Sequence, residues 1–243
     1  MPKTLVTIAT YNEIENLPQM VESIRKNLPD AHLLVIDDNS PDGTGKWCIE
    51  HKSKISNFDC IIRSGKLGLG TAVLAALQYA ITNEYDFLIN MDADFSHPPE
   101  KLPELLHAMI PEIDVVIGSR YVSGGKIVGW PLYRLMMSRA VNGFARISLG
   151  LPTHDNSGAF RCYRVTTLHR ILAQHISQGT IRSKGYSFFE EILFLLHRGG
   201  VKMVEIPIAF TDRKFGKSKI NFREAIKAIC VIFRLGLSRL GLP

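Results

Sequence analysis

Five short apolar runs, at residues 5–9, 33–36, 60–62, 87–91 and 115–117, alternate with segments whose apolar residues recur near a 3.6-residue period, at 17–28, 45–55, 71–81 and 99–109. Runs that are apolar on both faces need cover on both faces, and the intervening helices supply it. The pattern predicts an α/β fold with a mostly parallel central sheet and helices on either side. At 243 residues, 46% hydrophobic and 21% charged, the chain can bury one sizeable core, and a disordered, collagen-like or coiled-coil architecture is excluded. The second half is less regular. It reads as a helix over 131–149 begun by a proline in its first turn, a strand over 159–163, a helix over 190–197, and a strand over 201–210 interrupted by Pro207.

Ligands of such sheets bind at the carboxyl ends of the strands. Polar clusters stand at just those positions: Thr10-Tyr11-Asn12-Glu13, the stretch from Asp37 to Thr44, Met91-Asp92-Ala93-Asp94, and Gly118-Ser119-Arg120. In an extended segment residues i and i+2 share a face, so Asp92 and Asp94 can reach one cation together. Hard carboxylate oxygens suit Mg²⁺ or Mn²⁺, with a substrate diphosphate completing the shell. A lone pair of this kind reads equally well as a solvated turn capping the helix that Pro98-Pro99 begins. Asp42-Gly43-Thr44 reads as a turn and helix cap, whereas Asp38 can recognise a base or ribose and the Tyr11 ring offers a stacking face.

Two nucleotide motifs fail. After Gly68-Leu69-Gly70 the third glycine of a dinucleotide fingerprint falls at Val73, and the first glycine of a P-loop ending in Gly216-Lys217-Ser218 falls at Thr211. The four cysteines lie far apart without a C-x-x-C pair, which predicts reduced thiols and no structural zinc. The N-terminus lacks a signal-peptide pattern, and the longest uncharged run, 67–83, is too short to span a bilayer. The net charge of +6 is uneven: from Arg213 to Arg239 eight Lys/Arg face one acid, Glu224, and the remainder is nearly neutral. An anionic partner at that end follows. Without a recognisable module or an aromatic-interleaved basic sheet, a nucleic acid is not that partner.

Thr10-Tyr11-Asn12-Glu13, the run from Asp37 to Thr44, Gly68-Leu69-Gly70-Thr71-Ala72, the stretch Met91 to Pro99 and Gly118-Ser119-Arg120-Tyr121 together resemble glycosyltransferase family 2 enzymes of the GT-A fold. The segments at 129–142, 155–164, 185–191 and 207–219 narrow the resemblance to dolichol-phosphate (polyprenol-phosphate) mannosyltransferases. It implies a single catalytic domain over 1–220, followed over 221–243 by an amphipathic helix that belongs to the same domain or lies on a membrane.

The resemblance also implies roles. Ala9, Tyr11, Glu13, Ile36 and Asp38 would hold the guanosine of GDP-mannose. Asp92, Ala93 and Asp94 would form the metal and diphosphate motif for Mg²⁺ or Mn²⁺, with Ser96 beside it. Arg120 would contact the donor, Arg134, Ser138 and Arg139 the phosphate of a polyprenyl (dolichyl) acceptor, and Arg213 and Lys219 the donor diphosphate. Asp94, Arg120, Arg134, Arg213 and Lys219 would carry catalysis, with inversion at the anomeric carbon. A related donor such as UDP-glucose is the alternative. Ala9 stands where the family carries proline, Ala159 where it often carries Ser or Gly, and Phe189-Glu190 where it has Gln and an apolar residue; Glu191 keeps the family acid. The apolar residues of 226–237, broken by Lys227 and Arg234, fit a helix on anionic lipid, one docked on a small membrane subunit, or one packed on the sheet. The implied location is the cytoplasmic face of a membrane, peripherally.

Overall fold

A computed structural model describes residues 2–212 and 222–239. The chain runs β1 (Thr4–Thr10), α1 (Leu17–Asn27), β2 (His32–Asp37), α2 (Thr44–His51), β3 (Phe58–Ile62), α3 (Leu69–Thr82) and β4 (Phe87–Met91). A short 3₁₀ turn, Pro99–Lys101, leads into α4 (Leu102–His107) and β5 (Val115–Ser119). Then follow β6 (Lys126–Val128), α5 (Leu132–Leu149), β7 (Arg161–Arg164), α6 (Val165–Ser177), α7 (Phe188–Arg198), β8 (Met203–Pro207), β9 (Ala209–Thr211) and α8 (Phe222–Arg239).

Seven strands form one sheet in the order β3-β2-β1-β4-β7-β5-β8. The β1–β2, β1–β4, β2–β3 and β5–β8 pairs are parallel, while β7 enters antiparallel between β4 and β5. Alternate residues of each strand divide between two cores. Leu5, Leu34, Ile36, Leu88, Val115, Ile117 and Tyr163 face α3, α6 and α7. Val6, Ile8, Leu33, Val35, Ile89, Val116 and Cys162 face α1 and α4. The unbroken apolar runs of the sequence are the consequence of this double burial. Helix α1 illustrates the match: Leu17, Met20, Val21 and Ile24 are buried at three- and four-residue spacing, Pro18 occupies its first turn, and Arg25 and Lys26 close its last.

The structure departs from the sequence expectation in several details, and helix α6 (Val165–Ser177), which buries Val165, Leu168 and Leu172, has no counterpart in it. Helix α2 stops at His51 rather than Ile55, because residues 52–57 offer little to bury and turn through Asn57 at positive φ. Pro131 caps α5 from an extended conformation, φ −66° and ψ 151°, instead of occupying its first turn. The β6–β9 ribbon pairs residues some eighty positions apart, a contact that periodicity cannot reveal. Helix α8 lies against α5 and α7, with Ala228, Ile232 and Leu235 buried and Arg234 bonded to Glu191 at 3.1 Å.

Candidate active site

The carboxyl ends of β1 and β4, the start of α3, the loop 155–159, Tyr186, the start of α5 and the β9 end surround a cavity of about 300 Å³. Its β1 wall is fixed by Asp37, which is fully buried: its carboxylate accepts from Thr10 Oγ1 at 2.8 Å, from Ser40 N at 2.8 Å and from Ser40 Oγ. Asp42 accepts from Thr44 N and Oγ1 and from Ile14 N, so the acidic turn ties the β1 and β2 tips together. Glu13 lines the cavity while accepting from Asn16 Nδ2 at 2.9 Å.

Asp38 reaches the cavity already paired with Arg63, whose other nitrogens donate to Thr71 Oγ1 at 2.6 Å and the Gly68 carbonyl at 3.2 Å. Lys66 sits 4.5 Å from the centre of the Tyr11 ring. Gly68 and Gly70 serve close packing. A Cβ on Gly68, whose φ is +102°, would stand 2.4 Å from the Lys184 carbonyl oxygen, and one on Gly70 would press into the Phe188 ring. That carbonyl accepts the Gly70 N–H at 2.9 Å and brings Tyr186 to the cavity.

On the β4 wall Asp92, Ala93, Asp94 and Ser96 all line the cavity. Ser96 donates to Asp94 Oδ1 through its hydroxyl at 2.6 Å and its N–H at 3.1 Å. Phe95 between them holds φ +60°, a strained conformation for an aromatic residue. His97 accepts the Asp92 N–H on Nδ1 at 3.0 Å and stacks on Phe160. Burial lowers its pKa despite the nearby carboxylates, which keeps the ring neutral and Nδ1 an acceptor. Among the described residues no three His, Cys, Asp or Glu side chains gather into a metal site. The hard oxygens of the two carboxylates fit a divalent cation whose remaining ligands a diphosphate could supply.

Opposite stands Arg120. Its Nε and NH2 donate to the two Asp155 oxygens at 2.7 and 2.6 Å, its N–H to Oδ2 at 2.9 Å, and NH2 again to Ser157 Oγ at 2.9 Å. Burial would raise the Asp155 carboxyl, but the Arg120 guanidinium overrides it and holds the group below the ordinary carboxylate value. Phe210, Tyr121 and Trp130 ring the guanidinium. Arg134 lies over the Trp130 ring at 3.9 Å and reaches Asp212 at 3.2 Å.

Of the expected site residues, Ala9, Tyr11, Glu13, Asp38, Asp92, Ala93, Asp94, Ser96, Arg120 and Arg134 meet at this one cavity. Ile36 does not reach it, because its side chain packs into the core with Leu5 and Leu34. Ser138 bonds the Tyr121 hydroxyl at 2.6 Å, one turn along α5 from Arg134, and Arg139 is exposed off the cavity wall. Arg213 and Lys219 lie outside the described residues. Arg63, Lys66, His97, Trp130, Asp155 and Phe210 join the site without a role expected from the sequence. Arg63 and His97 follow strand tips, where a search for polar strand ends finds them; Trp130 and Phe210 carry no such signal.

The model of glycosyl transferase family 2 matches residues 5–172. The undecaprenyl-phosphate mannosyltransferase of Micrococcus luteus is 41% identical over 236 residues, covering 97% of this chain and 95% of that one. The polyprenol monophosphomannose synthase of Mycolicibacterium smegmatis is 41% identical over 228 residues, covering 92% and 84%. Among solved structures, glucosyl-3-phosphoglycerate synthase from Mycobacterium tuberculosis, in complex with Mn²⁺, UDP and glucosyl-3-phosphoglycerate, superposes with TM-score 0.67 at 18% identity, covering 100% of this chain and 81% of that one. TarS 1–349 from S. aureus in complex with UDP-GlcNAc gives 0.59 at 17% identity, covering 97% and 66%. These structures share the GT-A fold with this chain.

Proposed function

This chain is a glycosyltransferase of family 2, and on that premise we propose that it transfers mannose from GDP-mannose to a polyprenyl phosphate, with inversion, at a membrane surface. The observation that carries the reading is the arrangement of one cavity, with Asp92 and Asp94 on the β4 wall and Arg134 at the far end, in a chain 41% identical to two polyprenyl-phosphate mannose-forming relatives.

The donor lies along the β1 and β4 tips. Tyr11 and Asp38 hold the nucleoside, with Arg63 orienting the Asp38 carboxylate. Asp92 and Asp94 would hold Mg²⁺ or Mn²⁺, which would supply positive charge to offset that building on the leaving diphosphate. Ser96 orients the Asp94 carboxylate, and His97 fixes the Asp92 backbone. Arg120 is locked by Asp155, so its positive charge faces the cavity without reorganising during reaction. Arg213 and Lys219 add charge at the diphosphate in this reading.

The acceptor phosphate, with its second pKa near ~6, is mostly dianionic at neutral pH. It is its own nucleophile and needs no general base. Arg134 receives it in exchange for Asp212 and aims one oxygen at the anomeric carbon, opposite the leaving diphosphate. A nucleotide-sugar panel, with GDP-mannose, UDP-glucose and UDP-GlcNAc each offered with farnesyl phosphate and Mg²⁺ or Mn²⁺, tests the donor. Product from GDP-mannose alone is expected; product from a uridine donor alone overturns the proposal.

A further inference from the structure

The hydroxyl of Ser157 has only its proton left to give. Its Oγ accepts one bond from Arg120 NH2 at 2.9 Å and a second from Asn142 Nδ2 at 3.1 Å. Guanidinium and amide nitrogens donate and never accept, so both lone pairs of the hydroxyl are filled. The orientation of Asn142 is forced. Its Oδ1 accepts the backbone N–H of Asn156 at 2.7 Å and of Ser157 at 3.2 Å, and its Nδ2 also donates to the Ser138 carbonyl at 2.9 Å. The reverse placement of the amide would set donor against donor. No described residue accepts the Ser157 proton. The side chain is half-buried and lines the cavity, which is where that proton is offered.

The surroundings select what takes it. Each Asp155 oxygen already accepts two bonds, Oδ1 from Arg120 NH2 and Gly158 N, Oδ2 from Arg120 N and Nε. Ala159, on the same wall, has no polar side-chain atom, and the Arg120 guanidinium only donates. This wall therefore offers donors and no free side-chain acceptor. A sugar hydroxyl brings a proton of its own that would need an acceptor here, whereas a phosphoryl oxygen brings lone pairs and negative charge. Bonds to charged oxygens are the stronger kind, and a hydroxyl that accepts from a guanidinium is polarised into a better donor.

We propose that Ser157 binds substrate by donating its hydroxyl proton to a phosphoryl oxygen in the cavity, beside Arg120. The inference deepens the proposed function and rests on it for the presence of a phosphoryl group. Because Arg120 and Asn142 set the direction of the proton before a ligand arrives, the donor needs no reorganisation on binding.

The test is calorimetric and needs no turnover. GDP and UDP with Mg²⁺, their nucleosides, GDP-mannose and farnesyl phosphate are titrated separately into the full chain and its Ser157 variants, with melting temperature alongside. Ser157→Ala should weaken the nucleoside diphosphate or farnesyl phosphate about tenfold or more, as loss of a bond to a charged oxygen does, and leave the nucleoside unchanged. Whichever ligand weakens identifies the phosphoryl group as that of the donor or of the acceptor. Ser157→Thr, which keeps the hydroxyl, should restore most of the affinity, and Ser157→Cys, a weaker donor of similar shape, should fall between; these two decide if the alanine variant unfolds. Wild-type affinity for every phosphate ligand in Ser157→Ala overturns the proposal, as does wild-type protein that binds none of them. So does an equal loss for nucleoside and nucleoside diphosphate, which disturbed packing produces. A loss confined to GDP-mannose gives the hydroxyl to the sugar and also overturns it. Absence of mannose transfer by the wild type refutes the proposed function and leaves the titrations to decide Ser157.

Discussion

Arg120 and Asp155 form a buried ion pair at the cavity wall, joined by two side-chain bonds of 2.7 and 2.6 Å and a backbone bond of 2.9 Å. The pair links the end of β5 to the loop 155–159, and Gly158 donates to the same carboxylate at 3.0 Å. Because Asn142 of α5 bonds Asn156 and Ser157, the pair also holds α5 in register with the sheet. Asp155→Asn leaves a buried cation without its counter-charge and should cost about 3–5 kcal/mol. Urea denaturation measures this; a loss below about 1 kcal/mol would mean that the pair contributes little to the fold.

Glu190 sits at the start of α7, fully buried, with Oε2 lacking a partner among the described residues. Burial pushes its carboxyl up to about 7. A carboxyl raised in the folded state binds its proton more tightly there than in the unfolded chain. Its contribution to stability is therefore full below pH ~4.5 and is lost as pH rises through about 7. Over that window the loss amounts to roughly 3 kcal/mol. Glu190→Gln should flatten this slope and be more stable than the wild type at pH 8, as read by melting temperature across pH 5–8.

Gly68 admits the Lys184 carbonyl at a positive φ that disfavours any side chain. Gly68→Ala should destabilise the protein by about 1–3 kcal/mol and weaken donor binding, since the Lys184–Tyr186 segment shifts with it. Thermal melting and the donor KM report the two effects.

In the proposed function Arg134, held between Trp130 and Asp212, meets the acceptor phosphate. Arg134→Ala should raise the KM for polyprenyl phosphate about tenfold or more while changing the donor KM little, and Arg134→Lys should restore part of the loss. Equal changes in both constants would move Arg134 out of the acceptor site.

The sheet was legible because its strands are apolar on both faces, so residues 5–9, 33–36 and 87–91 stood out without any structure. The strand-tip clusters around Glu13, Asp38 and Asp94 were legible for the same reason: polar residues abutting such runs are rarely accidental. What stayed hidden depends on distance along the chain. Phe210 and Trp130 meet around Arg120 only because β9 pairs with β6, and Asp155 is committed to Arg120 across 35 residues. Helix α5 shows another limit. Arg134 and Ser138 share a face one turn apart, but Ser138 is taken up by the Tyr121 hydroxyl and Arg139 is turned off that face, so among the three only Arg134 lines the cavity. Periodicity located the amphipathic C-terminal helix, and only packing showed which side α8 buries.

In the proposed function Asp94 belongs to a cation and diphosphate site serving mannose transfer. Turnover of GDP-mannose and farnesyl phosphate by the wild type and by Asp94→Ala, with melting temperature alongside, tests this. Metal-dependent mannosyl phosphate formation by the wild type is expected, with a loss of about a thousandfold or more, some 4 kcal/mol of transition-state stabilisation, in a folded variant. Near-wild-type turnover by Asp94→Ala would contradict it.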